Sequence, residues 1–130
     1  MVNVLAHLDR KHYATNIRTA ANHIVADKPI NLGGENGGFS PDELLAASLA
    51  SCTSITLRMY ADRKEWPMEE VTVEVFFDRD EATKETKMIR RIHFLGKLDD
   101  EQKARLLAIA DKCPIHKTLS PAINIYTSQV

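Results

Sequence analysis

Cys52 and Cys113 are the only cysteines in this 130-residue chain, and they carry most of the reactive chemistry it can offer. A thiol reacts as its thiolate, so a reactive cysteine needs a cation, a helix N-terminus or a metal beside it. Cys113 is followed by Pro114, His116 and Lys117. It is therefore placed to cap a short turn, and on this argument it is the more activated of the two. Cys52 lies in the third turn or later of a long helical stretch, beyond the reach of the helix dipole. Any activation of Cys52 must come from a cation brought by folding. Cys113-x-x-His116 together with Cys52 makes three potential metal ligands, but no fourth and no second paired knuckle is present, so no metal is expected. His7, His12, His23 and His93 share no motif and read as structural or exposed positions.

The element that must hold Cys52 runs from Ser40 to Lys64. Leu44 to Leu57 contains no charged residue, and Ala46, Ala47, Ser48, Ala50, Ser51 and Ser54 keep its surface small. Ser40 is a natural N-cap, Pro41 suits the first helical position, and Glu43 completes a Ser-x-x-Glu capping box. At the other end Arg58, Arg63 and Lys64 suit the negative end of the helix dipole, and Trp66-Pro67 discourages continuation. The uncharged run is shorter than the roughly 20 residues of a membrane span. A helix that is apolar or small on every side is a buried one.

Ahead of that helix, residues 2 to 9 and 13 to 19 alternate like two strands of a hairpin, and Asn22 to Ala26 makes a third. Asp27 to Phe39 reads as a loop that holds Gly33, Gly34, Gly37 and Gly38. It lacks the GK[ST] ending and the parallel-strand context of a phosphate-binding loop, so it reads as a flexible approach to the helix. After the helix, Val71, Val73, Val75 and Phe77 alternate with polar residues. Met88, Ile92 and Phe94 do the same in a returning strand, with Lys87, Arg90 and Arg91 assigned to a solvated surface. A second helix opens on Asp99 with Gln102 in a capping-box relation, and its apolar stripe is expected at Leu106, Leu107, Ala110 and Cys113. Pro114 to Leu119 forms a further short turn, and Ala122 to Thr127 is expected to close the chain as a strand.

The order of elements defines an α+β fold with an antiparallel sheet rather than alternating βαβ units. One small sheet covers only one side of an apolar helix, so a second copy of the chain is expected to cover the other, in an intertwined homodimer. A chain of this length makes one domain, residues 1–130, with a substantial core. The composition is 44% hydrophobic and 27% charged, which is globular, and a net charge of -1 gives no electrostatic pull toward nucleic acid or an anionic membrane. The N-terminus has no secretory pattern and the two cysteines form no dense disulfide framework, so the expected location is cytoplasmic.

The segments SPDELLAASLASCTSITLRMYADRKEWPMEEVTVEV and CPIHKTL resemble the OsmC/Ohr family, the osmotically inducible protein C and organic hydroperoxide resistance proteins, in its OsmC-like branch. The resemblance covers nearly the whole chain. It implies an obligate dimer whose sheets wrap the central helices, with active sites at the subunit interface. It also implies a thiol peroxidase in which Cys52 is the peroxidatic cysteine and Cys113 the resolving one. In that role Cys52 becomes a sulfenic acid, and Cys113 condenses with it to a disulfide. This reverses the ranking drawn from local electrostatics. The family activates its thiolate with an arginine held by a carboxylate. The carboxylate falls on Asp42, where the family usually has glutamate, and helix periodicity puts Asp42 nearer the Cys52 face than Glu43. Arg10 and Arg18 are the alternative arginines. No cofactor is implied beyond a dithiol reductant as co-substrate. The rival reading is a non-enzymatic dimer that holds a small hydrophobic molecule or a reactive sulfur species in its interface pocket.

Overall fold

The computed structural model describes residues 1–130. It divides into two compact units, Met1–Leu45 and Ala46–Val130. In the first, β1 (Leu5–His7), β2 (Thr15–Arg18) and β3 (His23–Ala26) form an antiparallel sheet in the order β1-β2-β3. The strands are shorter than the alternation predicts, and Val2, Val4, Leu5 and Leu8 are all exposed.

The glycine-rich segment that follows is a pinned loop. Asp27 is 3% exposed, and its carboxylate accepts from the backbone N–H groups of Lys28 (2.7 Å), Glu35 (3.2 Å) and Gly37 (3.0 Å). These bonds hold the Asp27 carboxyl below the usual carboxylate range: the Gly37 bond contributes most, and together they outweigh burial. The chain passes so close to itself that a Cβ on Gly34 would sit 2.0 Å from the Lys28 carbonyl oxygen, and one on Gly38 would sit 1.9 Å from that of Val25. The glycines thus serve close backbone packing around an anchored carboxylate, and the expectation of a flexible approach is corrected.

A single helix, α1 (Pro41–Arg63), leads into the second unit. Ser40 Oγ accepts from the Glu43 N–H at 3.2 Å, as the capping motif requires. In the second unit β4 (Met68–Arg79) and β5 (Thr86–Gly96) form a long antiparallel hairpin with Val73 opposite Ile92 and Val75 opposite Arg90. Then come α2 (Asp100–Ala110), whose capping box between Asp99 and Gln102 is complete, and α3 (Pro114–Leu119). The core gathers Leu57, Tyr60 and Ala61 of α1, Met68, Leu98, and Leu106, Ile109 and Ala110 of α2, with Trp66, Val71, Ile92 and Phe94 packed against it. Arg58 fastens α1 to the start of β4 by donating to the carbonyls of Met68 (2.7 Å) and Glu69 (2.9 Å).

The fold is α+β with two antiparallel sheets, as the sequence predicts, with three differences. The apolar stripe of α2 runs through Ile109, whereas Leu107 is 50% exposed. Positions 106, 109, 110 and 113 recur on one side of a helix, and 107 lies about 100° round from 106. Residues 122–127 form no strand, and Ile123, Ile125 and Tyr126 stand exposed with no backbone ladder to join. Finally, α1 is not buried on every side within one chain. It buries the stripe Leu49, Thr53, Leu57, Tyr60 and Ala61, and leaves Ile55 and Met59 60% and 66% exposed. By length and mean hydropathy alone α1 would also reach across a bilayer, but its buried stripe is built into a polypeptide core.

Candidate functional site

The second unit brings Cys52 and Cys113 together. Both are free thiols, Cys113 fully buried and Cys52 partly exposed. Cys52 sits at the middle of α1, its helix neighbours Ser51 and Thr53 facing outward and inward respectively. Cys113 ends the apolar stripe of α2 and is the N-cap residue of α3, with Pro114 in the first helical turn. Its own N–H donates to the Ala110 carbonyl at 3.3 Å.

The two thiols are shifted in opposite directions. Burial pushes the Cys52 thiol up, and the hydrogen bond that its S–H gives to Cys113 raises it further. For Cys113 burial also acts upward, but it is outweighed by that hydrogen bond from Cys52 and by the backbone N–H groups of His116 and Ile115. Its thiol therefore lies below the ordinary value. The Ile115 and His116 amides are the first-turn donors of α3, and they act through proximity, since no full capping hydrogen bond closes on the sulfur. In the reduced pair, Cys113 is the favoured thiolate and Cys52 the proton donor, as the local electrostatics of the sequence predict. Ranking by exposure gives the opposite order, because Cys52 is the thiol that a substrate can reach.

One residue of this site was missed by sequence reasoning. Arg90 is not on a solvated face: its side chain is 12% exposed. Its Nη1 donates to Thr53 Oγ1 (3.1 Å) and to the Ala110 carbonyl (3.2 Å), and its Nη2 to Asp111 Oδ1 (2.8 Å). Thr53 Oγ1 in turn donates to the Leu49 carbonyl at 2.7 Å. The signal was present in the alternation of β5. Arg90 has the same parity as Met88, Ile92 and Phe94, which a period of two places on the core face. Lys87 and Arg91 do fall on the exposed parity. His116 Nδ1 lies 3.9 Å from the same Asp111 oxygen.

The remaining sequence-predicted residues belong to the first unit. Arg10 is in the exposed turn between β1 and β2, Arg18 closes β2 opposite Leu5 and His23, and Asp42 stands in the first turn of α1. Ten positions of helix rise about 15 Å, so the short Asp42 side chain does not reach Cys52 along its own helix. No group of three or more His, Cys, Asp or Glu residues is arranged to hold a metal ion.

A capped apolar helix beside an antiparallel hairpin, with two reduced thiols facing each other between helices, defines an α+β dithiol protein. A family profile described as OsmC-like protein matches residues 34–128, and the chain belongs to that family. Its fold is similar to a crystal structure from Psychrobacter arcticus described as an osmotic stress induced and detoxification response protein, with 27% identity, 93% of this chain and 90% of that one covered, and a TM-score of 0.79. It is also similar to an organic hydroperoxide resistance protein OsmC from Legionella pneumophila, with 26% identity, 92% and 89% coverage and a TM-score of 0.68. The OhrB organic hydroperoxide resistance protein of Bacillus subtilis shares the fold at 24% identity, with 92% and 90% coverage and a TM-score of 0.63. No curated protein matches at a significant level.

Proposed function

We propose that the chain is a dimeric, thiol-dependent peroxidase that reduces organic hydroperoxides or hydrogen peroxide. One observation carries the reading: Cys52 and Cys113, both free, are brought close enough to shift each other's titration in a chain of this family. The Legionella pneumophila neighbour, described as a predicted redox protein as well as a hydroperoxide resistance protein, supports a peroxide-related redox role.

Cys52 is the thiol that meets peroxide, because Cys113 is closed to solvent. Its S–H proton passes to the Cys113 thiolate, its hydrogen-bond partner, and the freed Cys52 sulfur attacks the distal peroxide oxygen. The O–O bond breaks, and the alkoxide leaves and takes a proton from water to become the alcohol. Cys52 is then a sulfenic acid. The Cys113 sulfur attacks the Cys52 sulfur, the S–S bond forms, and the sulfenic hydroxyl departs with the Cys113 proton as water. A dithiol reductant restores both thiols by exchange, losing two electrons. Asp42 with Arg10 or Arg18 is the proposed activating pair, and either protomer of the homodimer can supply it. The exposed Ile55 and Met59 stripe of α1 is the surface proposed for the second copy. A working dithiol suits a reducing, cytoplasmic compartment.

The test is stopped-flow consumption of cumene hydroperoxide by the reduced protein. Wild type is expected to turn over with a dithiol, Cys52→Ser to be inactive, and Cys113→Ser to react once and stop as the sulfenic acid. Wild type consuming peroxide no faster than Cys52→Ser would sink the enzyme reading.

A further inference from the structure

We propose that Arg90 is a positioning residue for disulfide closure, a clamp that ties the helix carrying Cys52 to the turn carrying Cys113. Its guanidinium bonds Thr53, the residue after Cys52, at 3.1 Å, and Asp111, two residues before Cys113, at 2.8 Å. It also bonds the Ala110 carbonyl, which the Cys113 N–H itself uses. One side chain from β5 therefore meets polar groups that flank both sulfurs in sequence. Thr53 and Ala110 are buried, so the two bonds to them are sheltered from water, whereas the Asp111 arm lies at the surface. Three acceptors in three directions call for the planar fork of a guanidinium, and an ammonium does not replace it. Arg90 also stands on the core face of β5, with Val75 opposite it across the hairpin. The sheet thus fixes the height of the clamp along both helices.

The chemistry needs such a device. A disulfide requires the two sulfurs at about 2.0 Å with a narrow range of torsions, and well-held groups react as if present at very high effective concentration. Condensation of a Cys52 sulfenic acid with Cys113 is fast only if α1 and the α2–α3 junction keep their register while the sulfurs approach. Arg90 supplies that register. It does not touch the peroxide and is not assigned to the attack by Cys52.

This inference rests on the dithiol role proposed above, and two measurements separate the two. In the first, reduced wild type, Arg90→Lys and Arg90→Met full-length proteins are mixed with cumene hydroperoxide. Sulfenic acid is trapped with dimedone, and disulfide is counted by mass spectrometry. Sulfenic acid is expected to form at the wild-type rate in all three and to accumulate in both variants, with disulfide closure slowed at least tenfold. In the second, which uses no peroxide, the Cys52–Cys113 disulfide is equilibrated against glutathione. Its effective concentration is expected to fall at least tenfold in both Arg90 variants and about threefold in Asp111→Asn, which keeps an acceptor oxygen but removes the charge from one arm of the clamp. Failure of the wild type to form sulfenic acid removes the peroxidase reading and leaves the glutathione measurement to decide the clamp. Wild-type closure and wild-type effective concentration in Arg90→Lys and Arg90→Met overturn it. A parallel loss of thermal stability with no change in effective concentration also overturns it. If the Arg90 variants do not fold, Asp111→Asn decides: an unchanged effective concentration there overturns the clamp.

Discussion

Ile55→Glu tests whether the outer face of α1 is an interface between two copies of the chain. Ile55 is 60% exposed and Met59, one turn on, is 66% exposed in a single chain. Full burial of a side chain of this size is worth about 1.5–3 kcal/mol, so covering the exposed part of each yields about 1–2 kcal/mol. Two-fold symmetry repeats both contacts, which gives roughly 4–8 kcal/mol for the four side chains. Ile55→Glu removes half of that and sets two carboxylates in an apolar contact. Dimer affinity should therefore fall by about 10²–10³ or more. The free protomer should be nearly untouched, because a substitution at an exposed helix position ordinarily stays within about 0.5 kcal/mol. Sedimentation equilibrium reads the association, and circular dichroism of diluted samples reads the protomer. A wild type that sediments as a folded monomer at micromolar concentration refutes the burial reasoning, as does an Ile55→Glu protein that associates like wild type.

Thiolate absorbance near 240 nm across a pH titration should show one thiolate forming below the ordinary free-thiol value of about 8.5 and a second forming above it. Cys52→Ala should move the surviving Cys113 titration upward, because it loses the S–H donor; an unchanged midpoint would separate the two sulfurs. Asp27 is a carboxyl lowered by its backbone donors, so the stability it confers is full above the unfolded pKa of about 3.9 and is lost as pH falls through the lower folded value. Asp27→Asn should therefore flatten the acid limb of the unfolding curve and lower the melting temperature at neutral pH, both measurable by calorimetry at several pH values. An acid limb identical to wild type would show that the loop is held otherwise.

Local signals in the chain were enough for the helix starts and the hairpin. The Ser40 and Asp99 caps act within one helical turn, and the β4–β5 alternation is a property of strand geometry, so neither needs distant residues. The position of Cys113 at the head of a short helix was legible for the same reason. Longer-range features were not. Asp27 reads as one more loop residue until the chain folds back and brings the amides of Glu35 and Gly37 to its carboxylate. The segment 122–127 has the alternation of a strand but no ladder to join within the chain, and a strand is defined by its partner.

What the sequence alone determined is therefore the α+β order and the capped apolar helix around Cys52, because spacing and capping are local. The tertiary structure decided which thiol is the more acidic, since that depends on amides and a second sulfur brought together from two stretches of the chain, around Cys52 and around Cys113. It also decided the role of Arg90. Parity put that residue on the core face, but a charge is tolerated there only if partners meet it. Thr53, Ala110 and Asp111, all distant in sequence, are the partners that folding supplies.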